Sequence, residues 1–595
     1  MAARRALVML IALLAAGGLA WLVLRVLAPG GWTAAKLVML ASFLGTAPWT
    51  GLCVANALLG TARLGLAGTC RTVAAPSSAR PSDAQPGHDA DPGHTRHGAE
   101  AVAIAVTVRN EDPGALLPPL RQLLLDLDAA GEGHSFKLWL LSDTSDSAAA
   151  ATEEKAIAAF RATDPQPDRI HYRRRAENTG FKAGNIMDFL DHHADGCDLM
   201  LVLDADSRMT AAAVLRLVRA MRADPGLGIL QHLTVGLPAA SAFPRLFQFG
   251  MRAGMRIWAA GQDWWQGNSG PYWGHNAVVR IAPFRAHCRL PLLPGGRPIL
   301  SHDQVEAAML RGAGWGVRVL VEEDGSAEAN PPALPEFLRR DSRWLAGNLQ
   351  YRHLLGMPGL RPMGRWQLLQ AILLFANPPF YLVFLGAAAW AAATGHGSPF
   401  PAGPALALTL AWVGALYSPK LLGYLTVLAS PPQRARYGGA ARFAVGAIAE
   451  IGFSLLLDAV AAVAKTATML RLACGAPARW APQNRTDRGV SWREAARLCW
   501  PQTLLGFAVF CGFALSGWRA LLWAAPFAGG LPAAIPFCVV TADPRFGIWL
   551  RRRQVAAIPE ELAPAADPAG VPPKASALTN QFGNPAARPH SGSIT

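Results

Sequence analysis

Charge is scarce in this chain. Asp, Glu, Lys and Arg supply 16% of its 595 residues, against about 25% in an ordinary soluble domain. Apolar residues fill the gap at 52%, which excludes a wholly water-soluble globule and requires that part of the chain sit in lipid. The eight cysteines contain no C-x-x-C and no Cys/His spacing suited to a tetrahedral site, which excludes a zinc module and a disulfide-stapled fold. Walker and G-x-G-x-x-G patterns are absent too, which argues against an ATPase or a dehydrogenase. The net charge of +15 does not imply a nucleic-acid partner, because Arg4, Arg5, Arg434, Arg436 and Arg551 to Arg553 lie beside apolar stretches. Positive-inside topology and contact with anionic membrane lipids account for them. His88, His94 and His97 fall in a Pro/Gly/Asp-rich stretch with no scaffold and read as chance composition.

What is present is a polar block between apolar ones. Residues 1–62 read as a transmembrane hairpin whose first apolar run, about 20 residues, spans about 30 Å. Residues 63–99, rich in Pro, Ser, Ala, Asp and Gly, read as a disordered linker. From 100 to 355, the runs AVAIAVTV, KLWLL and DLMLVLD alternate with helical stretches, which predicts a buried, mostly parallel α/β sheet. Residues 356–550 read as transmembrane and interfacial helices: spans beginning near 366 and 405, a pair over 501–545, and an ambiguous stretch at 443–470. That predicts six spans, or eight if 443–470 folds into a tight hairpin. Glu450, Ser454 and Asp458 recur every four residues and share a helix face. A charge at mid-bilayer costs roughly 3 kcal/mol, so the stripe lies at the interface, packs between helices, or lines a polymer path. The tail 551–595 is expected to be disordered, with both termini and the polar block cytoplasmic in a multi-pass protein of a bacterial inner membrane.

In an open parallel sheet, ligands bind at the carboxyl ends of the strands, and here those ends carry acids: Glu111 and Asp112, Asp143, then Asp204 and Asp206. One such acid is often only a helix cap. The pair Asp204-x-Asp206 suits a hard cation, Mg2+ or Mn2+, which favours oxygen ligands and bridges to phosphates. Between the second and third strands, Asn178 to Asn185 combines small residues with Lys182. It is either an ordinary glycine-rich turn or a phosphate cradle. Trp264, Trp265, Tyr272 and Trp273 crowd a polar, Gly-rich segment and read as a sugar-stacking platform with Trp344, or else as the core of a loop.

The order of strand-end Asp, Lys-Ala-Gly-Asn, Asp-x-Asp, a later acid and x-x-Arg-Trp resembles processive glycosyltransferases of family 2. YRRRAENTGFKAGN, VLDADS, YWGHNAVVR, ILSHD and RRDSRW look most like the glucosyltransferase H branch, which makes the backbone of osmoregulated periplasmic glucans. The resemblance implies a GT-A type α/β nucleotide-sugar transferase domain inserted in an α-helical transmembrane domain, with UDP-glucose as donor. It implies that Asp112 and Asp143 serve the donor site, Asp143 at the uridine, with Lys182 beside the nucleotide and Asp204 and Asp206 holding the diphosphate through the metal. Asp303 would be the catalytic base, Arg343 would offset charge on the leaving diphosphate, and Trp344 would border the transfer site. The acceptor would meet Trp264, Trp265, Trp273, His275, Asn276 and Trp344. Ser301-His302-Asp303 stands where the wider family has Thr-Glu-Asp, and Arg340 stands where it has Gln in Q-x-x-R-W; His302 is a candidate to tune Asp303. The implied product is a linear β-1,2-glucan, made processively with inversion and moved across the membrane. The implied partners are the growing glucan, membrane lipids, an acyl carrier protein and a periplasmic glucan-processing protein. The alternatives are a cellulose- or hyaluronan-type synthase and, outside enzymes, a nucleotide-sensing transporter.

Overall fold

The computed structural model describes residues 1–66, 101–395, 401–477 and 487–563. The three histidines, most of the expected linker and the end of the tail lie outside the described residues. The chain opens with α1 (Ala2–Leu27) and α2 (Ala34–Leu66), the expected apolar hairpin.

The α/β block begins with β1 (Val102–Val108), α3 (Pro113–Ala129), β2 (Phe136–Ser142), α4 (Ser147–Ala162), β3 (Ile170–Arg174), α5 (Phe181–His192) and β4 (Leu199–Asp204). It continues through β5 (Arg208–Met209), α6 (Ala211–Ala223), β6 (Leu227–His232), β7 (Val235–Gly236) and α7 (Ala242–Gln266). Then come β8 (Ala277–Arg280), α8 (Ile281–His287), α9 (Asp303–Gly312), β9 (Gly316–Leu320), β10 (Ser326–Glu328) and α10 (Leu334–Gln350). Seven strands form one sheet in the order β3-β2-β1-β4-β8-β6-β9. It is parallel except for β8, which runs antiparallel to both neighbours. β1 and β4 are almost wholly apolar because helices cover both of their faces. The three strands expected from apolar runs are all there. The four others are short or interrupted by His, Arg or Gln, and so show no continuous apolar run. A small second sheet, β5-β10-β7, flanks the end of β4.

α7 fastens this block to the membrane helices. A Cβ on Gly60 would lie 2.0 Å from the Ile257 carbonyl oxygen, and one on Gly261 would lie 2.4 Å from that of Asn56. α2 and α7 therefore cross backbone to backbone, a contact only small residues permit. Beside the crossing, buried Asp263 on α7 accepts hydrogen bonds from Arg63 on α2 (3.0 Å) and from Arg318 on β9 (2.9 and 3.1 Å).

The membrane half departs from expectation. It comprises α11 (Pro362–Ala393), α12 (Ala402–Leu416), α13 (Ser418–Ala429), α14 (Pro431–Arg436), α15 (Ala440–Ala473), α16 (Trp492–Ala514), α17 (Trp518–Ala528) and α18 (Ala534–Ala542). α12 and α13 meet at a 77° bend instead of forming one straight span; Pro419, with no N–H to give, sits just past the break. α15 is a single helix, so the hairpin at 443–470 and the count of eight spans fall. The expected pair over 501–545 is α16 followed by two short helices, interrupted at Gly517 and again at Gly529 to Ala533. Among the described residues four helices are long and apolar enough to cross a membrane, or five with the bent pair. That is fewer than the six expected.

The polar stripe of α15 packs between helices. Glu450 is fully buried, paired with Lys420 of α13 (2.6 Å) and accepting from Ser454 (2.6 Å) and Tyr424. Asp458 accepts from Tyr417 (2.5 Å). Nearer its other end α15 meets α10, through Lys465 and Asp341 (3.0 Å) and through Thr468 and Ser342 (3.3 Å).

The expected disordered tail is ordered through Ala563. After α19 (Pro544–Arg552), residues Ala556 to Ile558 are buried and α20 (Pro559–Leu562) follows. Its Glu561 pairs with Arg245, and its Glu560 with Arg252 (2.6 Å). Both arginines are buried on α7, so desolvated cations that need carboxylates hold this segment down.

Candidate active site

The sheet delivers its acids to one edge. β1 and β4 pair in parallel, with Thr107 opposite Asp204, so residues after both strands emerge side by side. Asp204 closes β4 and Asp206 follows in the turn to β5. Gly180, at φ 72°, starts α5. A Cβ on Gly184 would lie 2.0 Å from the Thr179 carbonyl oxygen, which explains the small residues around Lys182. Lys182 pairs with Asp204 and donates to the Gly274 carbonyl (2.8 Å). Asp143, after β2, is buried and holds Arg175 in a two-pronged pair (both contacts 2.8 Å). Asp112 is exposed and caps α3, accepting from the Gly114 N–H (2.9 Å); of the strand-end acids it is the one that has the ordinary cap role.

Gly274, at φ 82°, joins the two halves of the site. Its α-hydrogen faces the start of α9: a Cβ there would lie 3.5 Å from both the Asp303 Cβ and the His302 ring. Asp303 accepts from the Ser301 hydroxyl (3.0 Å), and His302 pairs through Nδ1 with Glu306 (2.8 Å). Lys182 and Asp204 thus approach Gly274 from one side and Asp303 from the other. The sequence placed these residues tens of positions apart.

The chain matches the family models for glycosyl transferase family 2 over residues 103–288 and for glycosyl transferase family group 2 over residues 199–428. It is 32% identical over 563 residues to the glucans biosynthesis glucosyltransferase H of Xanthomonas campestris pv. campestris, covering 91% of this chain and 85% of that one. The chain belongs to the glucans biosynthesis glucosyltransferase H family. The protein of that name from Rhodopseudomonas palustris is 33% identical over 584 residues, covering 95% of this chain and 78% of that one. Among solved structures, a mannosyltransferase from Pyrobaculum calidifontis in complex with GDP-Man and Mn2+ covers 64% of this chain and 97% of that one. Its identity is 18% and its TM-score 0.39. The protein is therefore a family-2 glucosyltransferase of glucan biosynthesis.

Several residues singled out from sequence lie elsewhere than expected. Trp265 is buried, with its Nε1–H donating to Asn56 of α2 (2.9 Å). Trp264 packs in the same cluster against α1 and α2, beneath the Arg4 guanidinium (4.9 Å). Trp273 is partly buried against the cluster of Leu233, Ala259, Ala260, Val319 and Val321, and Tyr272 is fully buried. Of the expected platform, Trp265 and Tyr272 belong to the core, because apolar rings near the apolar helices gain most by leaving water, whereas Trp264 and Trp273 are only partly buried. Trp344 keeps an exposed face, at 46%. Asn276 is wholly buried and donates to the Ser326 hydroxyl (3.0 Å), so it shapes the loop and cannot meet an acceptor.

Two residues were missed. Glu328 on β10 pairs with His275 (3.1 Å). Burial raises its carboxyl pKa, with Asp206 and Asp204 adding to the rise and His275 and Arg340 opposing it. Arg340 is buried one helical turn from Trp344, with its guanidinium 4.4 Å from that ring. Burial lowers its pKa, while Glu328, Asp341 and Asp206 pull the other way. It therefore shares the acids' surroundings. Arg340 was legible in its motif; Glu328, in a three-residue strand, carried no pattern.

Proposed function

We propose that the protein is an inverting, processive glucosyltransferase that takes glucose from UDP-glucose, builds a linear β-1,2-glucan backbone for periplasmic glucans and moves it across the inner membrane. The observation that carries this reading is Gly274, with the donor-side pair Lys182–Asp204 on one flank and Asp303 on the other. Asp303 takes the proton from the acceptor hydroxyl as that oxygen bonds to the anomeric carbon and the bond to the diphosphate breaks. A single displacement inverts the α-linked donor to a β-linkage with no covalent enzyme intermediate. Asp143 with Arg175 faces the uridine end, while Lys182, Arg340 and Arg343 oppose the charge gathering on departing UDP.

A divalent cation fits the donor set. Asp204 and Asp206 offer oxygen ligands only, and no group of three His, Cys, Asp or Glu side chains capable of holding a metal occurs among the described residues. Mg2+ favours such sites, where water and substrate phosphates complete its coordination. Once bound by Asp204 and Asp206 it would screen the diphosphate. Trp344, the ring with an open face, borders the acceptor. In this reading residues 100–355 and both termini are cytoplasmic.

The test is incorporation of labelled glucose from UDP-glucose and Mg2+ by membranes containing the full chain, followed by linkage analysis of the polymer. Polymer from the wild type and none from Asp303→Asn is expected. Transport that persists in both with no polymer in either would instead favour the nucleotide-sensing transporter, and β-1,4 linkages would favour a cellulose-type synthase.

A further inference from the structure

Asp303 does not stand alone at the start of α9. His302 precedes it and turns its Nδ1 to Glu306 one helical turn on, at 2.8 Å, with the two side chains 13% and 3% exposed. The imidazole edge and the Asp303 Cβ abut the same point, the missing side chain of Gly274, at 3.5 Å each. Gln304 ties this turn to the same loop, donating to the Tyr272 carbonyl (3.0 Å). With so little water available, nothing replaces either member of the pair if the other is lost.

We propose that the His302–Glu306 ion pair is a positioning device that holds Asp303 against the Gly274 loop, and so registers the base with the donor side at Lys182 and Asp204. This rests on Asp303 acting as the base. His302 and Glu306 act through Asp303, so they are positioning residues.

The electrostatics agree with the geometry. Burial opposes a charge on His302, but Glu306, through its charge and hydrogen bond, and Asp303 outweigh it, so the imidazole pKa lies above its usual value. Lys182 opposes that rise. The other groups gathered around Glu306 and Asp303 are the Tyr272 and Tyr351 phenols and the Cys288 thiol, all pushed up chiefly by burial. They keep their protons as pH rises, whereas an imidazole is the side chain that ordinarily titrates near neutrality. The pair is therefore complete below the ordinary imidazole value of about 6.5 and dissolves as pH rises through the elevated His302 value.

The test uses the full chain in lipid nanodiscs, with initial rates of glucose incorporation from UDP-glucose and Mg2+ followed from mildly acidic to mildly alkaline pH. The wild type should lose kcat on an alkaline limb. Glu306→Gln should move that limb to lower pH, and Glu306→Asp, which keeps the charge, should move it back. His302→Gln should remove the limb and lower kcat about 10- to 100-fold, the scale of a small misplacement of a reacting group, with little change in donor KM. A limb in Glu306→Gln that overlays the wild type, or a wild-type kcat in His302→Gln, overturns the proposal. If Glu306→Gln loses its folded size-exclusion peak, His302→Gln decides alone: loss of the alkaline limb with a lowered kcat supports the pair, and a retained limb or a wild-type kcat overturns it. A wild type that incorporates no glucose refutes the functional reading and this inference with it. Incorporation that is indifferent to Glu306 refutes only the positioning role.

Discussion

The Asp263 clamp gives the sharpest stability prediction. Asp263 accepts three hydrogen bonds from two guanidinium groups, Arg63 at 3.0 Å and Arg318 at 2.9 and 3.1 Å. Its side chain is 2% exposed, while those of Arg63 and Arg318 are 20% and 21% exposed. Asp263→Asn keeps the shape but removes the charge, and its amide nitrogen faces donors. One carboxylate oxygen takes both the Arg63 bond and the 3.1 Å Arg318 bond, so an asparagine oxygen in its place keeps two of the three. The lost charge is then the larger cost, since removing one partner of a buried ion pair costs about 3–5 kcal/mol. Because both arginines reach some water, which screens and rehydrates them, the low end applies, about 3 kcal/mol. At about 2 °C per kcal/mol for a large domain, the apparent melting midpoint of the purified protein should fall by about 6 °C at a fixed scan rate. The comparison is Arg63→Gln, which breaks one bond and leaves the carboxylate with Arg318, and should cost well under half as much. Equal midpoints for wild type and Asp263→Asn, or a larger loss in Arg63→Gln, would refute the view that this carboxylate joins α2 to the sheet.

Gly184→Ala puts a methyl 2.0 Å from the Thr179 carbonyl oxygen, so α5 must shift and carry Lys182 with it. Overpacking of this kind costs about 1–3 kcal/mol, and donor KM should rise about tenfold with the fold intact by circular dichroism. Glu561→Gln leaves fully buried Arg245 without its counter-charge and should cost about 3 kcal/mol, visible as faster limited proteolysis near residue 555. The His302–Glu306 pair also predicts how stability varies with pH. A pKa raised by folding adds stability that is complete below the ordinary imidazole value of about 6.5 and is lost as pH rises through the folded value. The melting-midpoint gap between wild type and Glu306→Gln should therefore be widest at acidic pH and narrow at alkaline pH.

The central sheet and the gathering of acids and Lys182 at its carboxyl edge were legible because their signals are local. A buried parallel strand is a run of apolar residues, as in β1 and β4, and the acid that follows it points to the ligand edge. Lys182 could be read from its small neighbours, since the close approach at Gly184 demands them. The acceptor side was not legible in the same way. A tryptophan near a glycine-rich loop carries the same letter whether its ring meets a sugar or a membrane helix, and only the placement of Asn56 and Arg4 decided for Trp264 and Trp265. Glu328 was hidden because a three-residue strand has no periodicity. The ordered tail was hidden because Pro, Ala and Glu look like linker composition until two buried arginines on α7 supply a reason to fold. The bend at Tyr417 and the short helices after Gly517 misled the span count, since an apolar segment reads the same whether straight or broken.

The glycine crossing of α2 and α7 bears on how the enzyme can be handled. Its transferase block looks separable in sequence, a polar stretch between two oily ones. Yet α7 belongs to that block and meets α2 at bare backbone, with Trp265 capped by Asn56 and Asp263 gripping Arg63. Cutting the block free would open a hydrophobic seam, strip Arg63 from Asp263 and leave an indole N–H without its partner. Purification therefore has to begin from the membrane, because the excised half is expected to aggregate before it can be assayed.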